Sequence, residues 1–295
     1  MGSNRVIKST PALDFTEETL YLTDEDVNGA NGKLYAIAVG PSTVSAVWSI
    51  PIGAGNVEEQ SEGEPLSSSP AIGSDATIYA TGQCDDGSGV FRNCLFAVRP
   101  TTGAILWSKV IQPGVANTAN TMSSVCFGPD GTVYVGGEGL DDLDGNVNGC
   151  DPLNGSAKPT MFTSGEVPAT AAVSAAGNVY VGDQLGFVYA FKADDPNGTP
   201  FWTFATGGRI DSTGALTADG KLWVVSSDGF LYALNASTGS MLVQKAVGVA
   251  PHINASSPII GSNSWVFVVA GNTICAIEGY GAAAALASDY WPSFR

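Results

Sequence analysis

Two short acidic stretches hold the residues of this 295-residue chain best suited to a hard cation. The first, DEDVNGANG, sets Asp24, Asp26 and Asn28 at alternate positions before Gly29; the second, DDLDGNVNG, supplies Asp142, Asp144, Asn146 and Asn148 before Gly149. Oxygen side chains at the first, third and fifth places with glycine at the sixth open a calcium loop, because the sharp turn gathers alternate oxygens around one ion. Neither stretch has the bidentate acid of the twelfth place, where Tyr35 and Gly155 stand. Further ligands would come from backbone carbonyls, Asp151 or neighbouring loops, and the ion's role would be structural. The plainer alternative is that Asp, Asn and Gly simply make good hairpin turns.

A second group of polar residues suits binding or acid–base chemistry. Glu64, Asn120, Glu166, Arg209 and His252 each stand a few residues ahead of a short apolar strand. Brought together, one arginine and one histidine among carboxylates would steady an anionic or sugar-like ligand. A polysaccharide lyase or hydrolase needs an acid, a base and a charge-neutralising group, roles open to His252, Glu64 or Glu166, and Arg209. The simpler alternative is a ring of polar loop residues around a solvated funnel. No G-x-S-x-G, H-E-x-x-H or phosphate-cradling loop accompanies them. A single histidine excludes a His-rich catalytic metal centre.

Of the five cysteines, Cys84 and Cys94 flank DDGSGVFRN between two strands expected to be hairpin neighbours. A disulfide there would contribute about 2 to 4 kcal/mol by restricting the unfolded chain. Cys126 and Cys150 form a second, weaker candidate pair, which leaves Cys275 as a buried thiol. A bridge implies an oxidising compartment. Five reduced thiols in the cytoplasm are the alternative.

These residues need a framework to position them, and composition narrows it. Glycine is one residue in eight (37), only 14% of residues are charged, and short Val, Ile, Thr, Tyr and Trp clusters alternate with turn residues. That pattern is all-β. The net charge of −16 repels phosphate backbones and anionic membrane faces, so nucleic acid is not an expected partner. No run reaches the roughly 18 to 20 apolar residues of a membrane-spanning helix. The opening Met1-Gly2-Ser3 reads as an appended start, so the lack of a basic-then-apolar leader decides nothing about export.

A repeat organises the chain. Tyr21, Tyr79, Tyr134, Tyr180, Trp223 and Phe267 recur in short apolar strands. About ten residues ahead of each lies a small-residue or proline marker: Thr10-Pro11, Ser69-Pro70, Ser123-Ser124, Thr170, Thr213 and Ser257-Pro258. A third strand carries an aromatic-Ala-aliphatic core, as in Tyr35-Ala36-Ile37 and Phe96-Ala97-Val98, and a fourth often ends in tryptophan, as at Trp48, Trp107, Trp202 and Trp291. Four hairpin-linked strands repeated six times predict a β-propeller, over approximate units 8–53, 66–112, 121–165, 168–207, 210–248 and 254–295. The alanine would let a tryptophan lie flat against the backbone with its N–H free to find a carbonyl. Radial stacking would bring the five polar positions to one mouth.

AVRPTTGAILW from Ala97, ALNASTGSMLV from Ala233 and SSPAIGSDATIYATG resemble the tryptophan-docking repeat of pyrroloquinoline-quinone-type propellers. The resemblance covers nearly the whole chain and implies the fold more than a function. Quinone-dependent dehydrogenases of this type carry more blades, adjacent cysteines over the cofactor plane and, in one branch, C-x-x-C-H; those features do not occur here, so quinone is not expected. Eight-bladed outer-membrane assembly factors with this repeat are longer than this chain, so their role is not carried over. The terminal Tyr290–Arg295 segment resembles the family's linking segment at ring closure, which implies a trimmed chain. The expectation is a single six-bladed domain, monomeric and secreted, periplasmic or on the cell surface. It would act as a non-catalytic module that binds a protein or glycan at the axial mouth, with a carbohydrate-active enzyme as the competing reading.

Overall fold

The computed structural model describes residues 5–7, 9–26, 32–53, 68–85, 87–88, 91–111, 123–138, 144–248, 256–261, 265–270 and 273–278. Among these, the regular elements are all β-strands, arranged in six antiparallel sheets. Sheet 1 holds Ala12–Leu13, Thr19–Asp26, Lys33–Val39 and Val44–Pro51, with Arg5–Val6 added beside the second of these. Sheet 2 holds Ala71–Ile72, Ile78–Asp85, Phe91–Val98 and Ile105–Val110; sheet 3 holds Cys126–Phe127, Val133–Glu138, Gly145–Cys150 and Met161–Thr163. Sheets 4 and 5 run through Ala172–Val173, Asn178–Gly182, Phe187–Lys192, Pro200–Ala205 and Ala215–Leu216, Lys221–Val225, Phe230–Asn235, Met241–Ala246. Sheet 6 has three described strands, Ile259–Ile260, Trp265–Ala270 and Thr273–Glu278; Trp291 lies outside the described residues.

Register explains the aromatic repeat. Tyr79 stands between Ala71 and Ala97, Tyr180 between Ala172 and Ala190, and Trp223 between Ala215 and Ala233. A large ring flanked by two small residues leaves a flat depression on one sheet face, and a fourth-strand tryptophan fills it opposite the same alanine. Trp48, Trp107 and Trp202 pair with Ala36, Ala97 and Ala190 in this way. Each indole N–H then donates across the junction to the next sheet: Trp48 to Pro100 O at 2.7 Å, Trp107 to Pro152 O at 2.9 Å, and Trp202 to Ala236 O at 2.9 Å. The indole ring packs against a turn glycine of that next sheet, Gly103, Gly155 or Gly239. Sheet 5 sets Val243 opposite Ala233 where sheets 1, 2 and 4 set tryptophan, so the indole is one solution to the junction and not a requirement of it.

Five apolar cores result, one between each pair of consecutive sheets from 1 to 6. Each of sheets 2 to 5 buries one face against its predecessor and the other against its successor, as stacking of repeats requires. Among the described residues no apolar core joins sheet 6 to sheet 1. Hydroxyls stitch the inner edges together. Thr10 N donates to Ser69 Oγ at 2.9 Å, Ser69 N to Ser124 Oγ at 2.9 Å, and Thr213 N to Ser257 Oγ at 3.1 Å. The Ser/Thr markers of the repeat are therefore acceptors for the neighbouring sheet's backbone, which lacks a strand partner on that side.

Candidate functional site

The turns between second and third strands and the connectors between sheets gather at one end of the stack. In sheet 4, Ile210 N donates to Asp183 O at 3.0 Å and Gln184 N to Glu166 O at 3.0 Å; one sheet on, Ser227 N donates to Arg209 O at 2.9 Å. Glu166 and Arg209 thus occupy the same backbone register in successive connectors. The same register between sheets 1 and 2 is filled by Ile52, whose carbonyl accepts Gln83 N at 2.7 Å. Glu64, Asn120 and His252 lie outside the described residues.

Local hydrogen bonds hold this end. Asp183 is fully buried and accepts the Tyr189 hydroxyl at 2.8 Å and Phe187 N at 2.8 Å. Asp228 repeats the motif one sheet later, accepting the Tyr232 hydroxyl at 2.7 Å, Phe230 N at 3.0 Å and Gly207 N at 2.8 Å. Burial first, and then the Asp228 carboxylate that accepts its hydrogen bond, push the Tyr232 phenol up to about 12. On this base sit Glu166, bonded to Gln184 Nε2 at 2.6 Å, and Arg209, whose Nη2 meets Asp211 Oδ1 at 3.1 Å. Between them Leu185 is 59% exposed at the turn tip. This described part of the mouth offers hydrogen bonds, one ion pair and an apolar projection. Gln184, Leu185 and the Asp–Tyr pairs were missed from sequence, although an Asp shortly before the third-strand tyrosine recurs in sheets 1, 4 and 5.

Asp24, Asn146 and Asn148 of the acidic stretches stand in strands. Asp24 is buried and accepts Lys33 N at 2.9 Å and the Tyr35 hydroxyl at 2.6 Å, the sheet 1 version of the Asp–Tyr pair. Asn146 and Asn148 stand in the strand Gly145–Cys150, where Asn148 Nδ2 donates to Asn146 Oδ1 at 2.6 Å, and Asp144 immediately precedes that strand. The Asp26 side chain, Asn28 and Asp142 lie outside the described residues. Among the described residues no three His, Cys, Asp or Glu side chains come together as a metal site.

Cys84 and Cys94 form a disulfide with Cα atoms 5.8 Å apart. Cys126 and Cys150 do not pair: both are buried free thiols, and they enter different cores, Cys126 between sheets 3 and 4 and Cys150 between sheets 2 and 3. Opposite faces of one sheet put a second bridge out of reach. Cys275 is half-buried, its thiol 3.4 Å from Val247 O.

A cavity of about 490 Å³ opens at the other end of the stack, between the first-to-second-strand turns of sheets 2 and 3. Tyr79, Phe127, Pro129 and Leu153 line it, with Asp75 and Asp130 at its edge. Both carboxylates are held by their own turns, through Thr77 and Thr132.

Comparison with known proteins agrees with this architecture. No curated protein sequence matches the chain. Among solved structures, BamB from Moraxella catarrhalis superimposes with a TM-score of 0.64 at 17% identity, over 94% of this chain and 75% of that one. The Dos1 propeller gives 0.61 at 14% identity, over 92% and 66%. A europium-containing methanol dehydrogenase gives 0.57 at 13% identity, over 83% of this chain and 52% of its own. These likenesses establish a propeller fold shared with longer proteins. A family model described as outer membrane protein assembly factor BamB matches residues 93–290, and on that match this chain belongs to the BamB-like family of pyrroloquinoline-quinone-type repeat propellers.

Proposed function

We propose that the protein is a non-catalytic binding module, exported from the cytoplasm, that engages a protein at the mouth built by the second-to-third-strand turns of sheets 4 and 5. The observation that carries this reading is Leu185, 59% exposed at a turn tip beside Glu166 and the Arg209–Asp211 pair. An apolar anchor within a polar rim is the composition of a protein-binding patch. Membership of a family described by an outer-membrane assembly factor supports a protein partner over a glycan, and supports export. The Cys84–Cys94 bridge fits an oxidising compartment. A structural calcium ion on the acidic stretches, Asp24, Asp26 and Asn28 or Asp142, Asp144, Asn146 and Asn148, is tested by elemental analysis after dialysis against Ca²⁺.

Photo-crosslinking tests the mouth. A crosslinker at position 185 is expected to capture a partner in extracts of the native compartment, and one at position 153, at the other end, is not. Loss of capture in Arg209→Glu supports the site. Turnover of any member of a polysaccharide panel by the parent protein would instead establish the carbohydrate-active reading and refute this one.

A further inference from the structure

Departures from the repeat converge on the cavity of about 490 Å³ at the end of the stack opposite the mouth. The turns between third and fourth strands of sheets 2, 3 and 5 are closed alike, with Arg99 N donating to Ala104 O at 2.9 Å, Asp151 N to Ser156 O at 2.8 Å and Asn235 N to Ser240 O at 2.8 Å. Thr101, Leu153 and Ser237 hold the same place in these turns. Sheet 3 therefore presents a leucine, 83% exposed, where its counterparts present hydroxyls, and that leucine lines the cavity.

The turns between first and second strands depart as well. Their closing hydrogen bond spans four residues in sheets 2 to 5, from Gly73 N to Thr77 O, Gly128 N to Thr132 O, Ser174 N to Asn178 O and Thr217 N to Lys221 O. In sheet 1 it spans five, from Asp14 N to Thr19 O, and the longer turn carries Phe15 to the cavity. The left-handed place of these turns holds Gly131, Gly177 and Gly220 in sheets 3 to 5, but Glu17 in sheet 1 and Ala76 in sheet 2, at φ +60° and +66°. Side chains are strained in that conformation, and such strain gathers at binding sites.

The cavity joins aromatic rings to negative charge. Tyr79 and Phe127, edge to face at 5.4 Å, line it with Phe15 and Leu153, and Asp75 and Asp130 stand at its edge. Asp14, Glu17, Glu18 and Asp151 lie in the same turns. Against these six carboxylates this end of sheets 1 to 3 sets Arg99 and Lys158, the latter 3.9 Å from Asp130. Burial first, and then the charges of Asp75 and Asp151, push the Tyr79 phenol up to about 12.

We propose that this cavity is a second binding site, which takes a small organic cation of the alkylammonium class against its aromatic rings and its two edge carboxylates. Its volume is that of a small-ligand pocket, and an ammonium is attracted both by ring faces and by carboxylates. The surrounding acidic turns repel the phosphate of a lipid headgroup, which favours a free cation over a membrane surface. The site does not depend on the protein partner proposed for the mouth.

Isothermal titration calorimetry of the whole chain with tetramethylammonium, choline and benzyltrimethylammonium tests the proposal, with 3,3-dimethylbutanol as the uncharged isostere of choline. Saturable one-to-one binding is expected, tightest for benzyltrimethylammonium, with choline at least about threefold tighter than the alcohol. Added salt should weaken it. Leu153→Thr reproduces the residue of the sheet 2 turn, and Phe15→Ser changes another exposed turn residue; each should weaken binding by at least about twofold. Asp75→Asn combined with Asp130→Asn should weaken it by at least about threefold. Lys158→Gln releases Asp130 from its ion pair and should tighten binding, a gain that general damage to the fold does not produce. Absence of saturable heat with all three cations overturns the proposal, as does equal affinity for the alcohol. Unchanged affinity in Leu153→Thr also overturns it, since the cation would then sit elsewhere on an acidic surface. Cosedimentation with phosphatidylcholine vesicles that Leu153→Thr abolishes would replace the free cation by a lipid surface and overturn it too.

Discussion

Alanine at Gly239 isolates the docking of tryptophan against a neighbouring sheet. Gly239 has φ +72°, and a Cβ there would lie 2.7 Å from Cδ2 and Cε3 of Trp202. The indole cannot easily yield, because its N–H is bonded to Ala236 O at 2.9 Å and its other face lies over Ala190. The left-handed backbone costs an L-residue about 1–2 kcal/mol, and the overpacking adds about 1–3 kcal/mol. Gly220 supplies the control. It has φ +79° and open space around its would-be Cβ, so Gly220→Ala carries the backbone cost alone. Urea unfolding followed by far-ultraviolet circular dichroism should therefore find Gly239→Ala less stable than Gly220→Ala by about 1–3 kcal/mol. In a Trp202→Ala background, itself destabilised by about 3–5 kcal/mol, Gly239→Ala should fall back to about the cost of Gly220→Ala. Equal effects of the two glycine substitutions, or strict additivity with Trp202→Ala, would refute the claim that the indole and the glycine share one packed contact.

The remaining expectations concern cysteines and pH. Alkylation in denaturant without reductant should count three free thiols, with Cys275 the first to react in the folded protein. Burial pushes the Cys150 thiol up to about 11, with Lys109 partly opposing it, and pushes Cys126 higher still, so both should react only on unfolding. Reducing Cys84–Cys94 should lower unfolding stability by about 2–4 kcal/mol in the same urea assay. For Asp130, burial works to raise the carboxyl pKa, but hydrogen bonds from Thr132 and the nearby Lys158 outweigh it and hold the value low. Its stabilisation is present above the ordinary carboxylate range and is lost as pH falls through the lowered value, so Asp130→Asn should flatten the acid limb of a melting-temperature profile. Burial, then the charge of Asp75, push the Tyr79 phenol from 10.0 to about 12. That contribution is complete below pH 10 and fades as pH rises to about 12, because the unfolded chain releases the proton first. Tyr79→Phe should flatten the alkaline limb.

The repeat was legible because its markers obey local rules. In sheets 1, 2 and 4 an aromatic residue between two alanines, with a fourth-strand tryptophan after it, can be read without knowing where the next unit lies. The acidic stretches allow two readings for an equally local reason. A calcium loop and a β-strand both use every second residue, so alternating Asp and Asn positions fit either geometry. Asn146 and Asn148 stand in a strand, paired with Gly137 and Val135, and Tyr134 and Gly149 continue the register. The two buried cysteines were a question of parity: Cys126 and Cys150 sit near each other in one sheet but on opposite faces, which spacing in sequence does not express.

Closure of the ring was beyond local reading, and the reason bears on the mouth. Six units predict six junctions only if the wedge angles between sheets add up to a full turn, and each angle depends on how bulky the side chains of that junction are. A junction filled by Trp107 and one filled by Val243 need not open by the same amount. The arc therefore accumulates from five separate packing solutions, and nothing in one unit records the sum. For the same reason the polar positions grouped by sequence need not surround one axis. Glu166 and Arg209 are neighbours because they belong to consecutive connectors, with Gln184 and Ser227 bonded to their carbonyls in matching register. Side chains one sheet apart share a patch whatever the arc does, whereas a ring of residues from every unit forms only on closure. The adjacent-sheet patch around Leu185 is thus the part of the mouth that survives any curvature, and binding should be mapped from there outward.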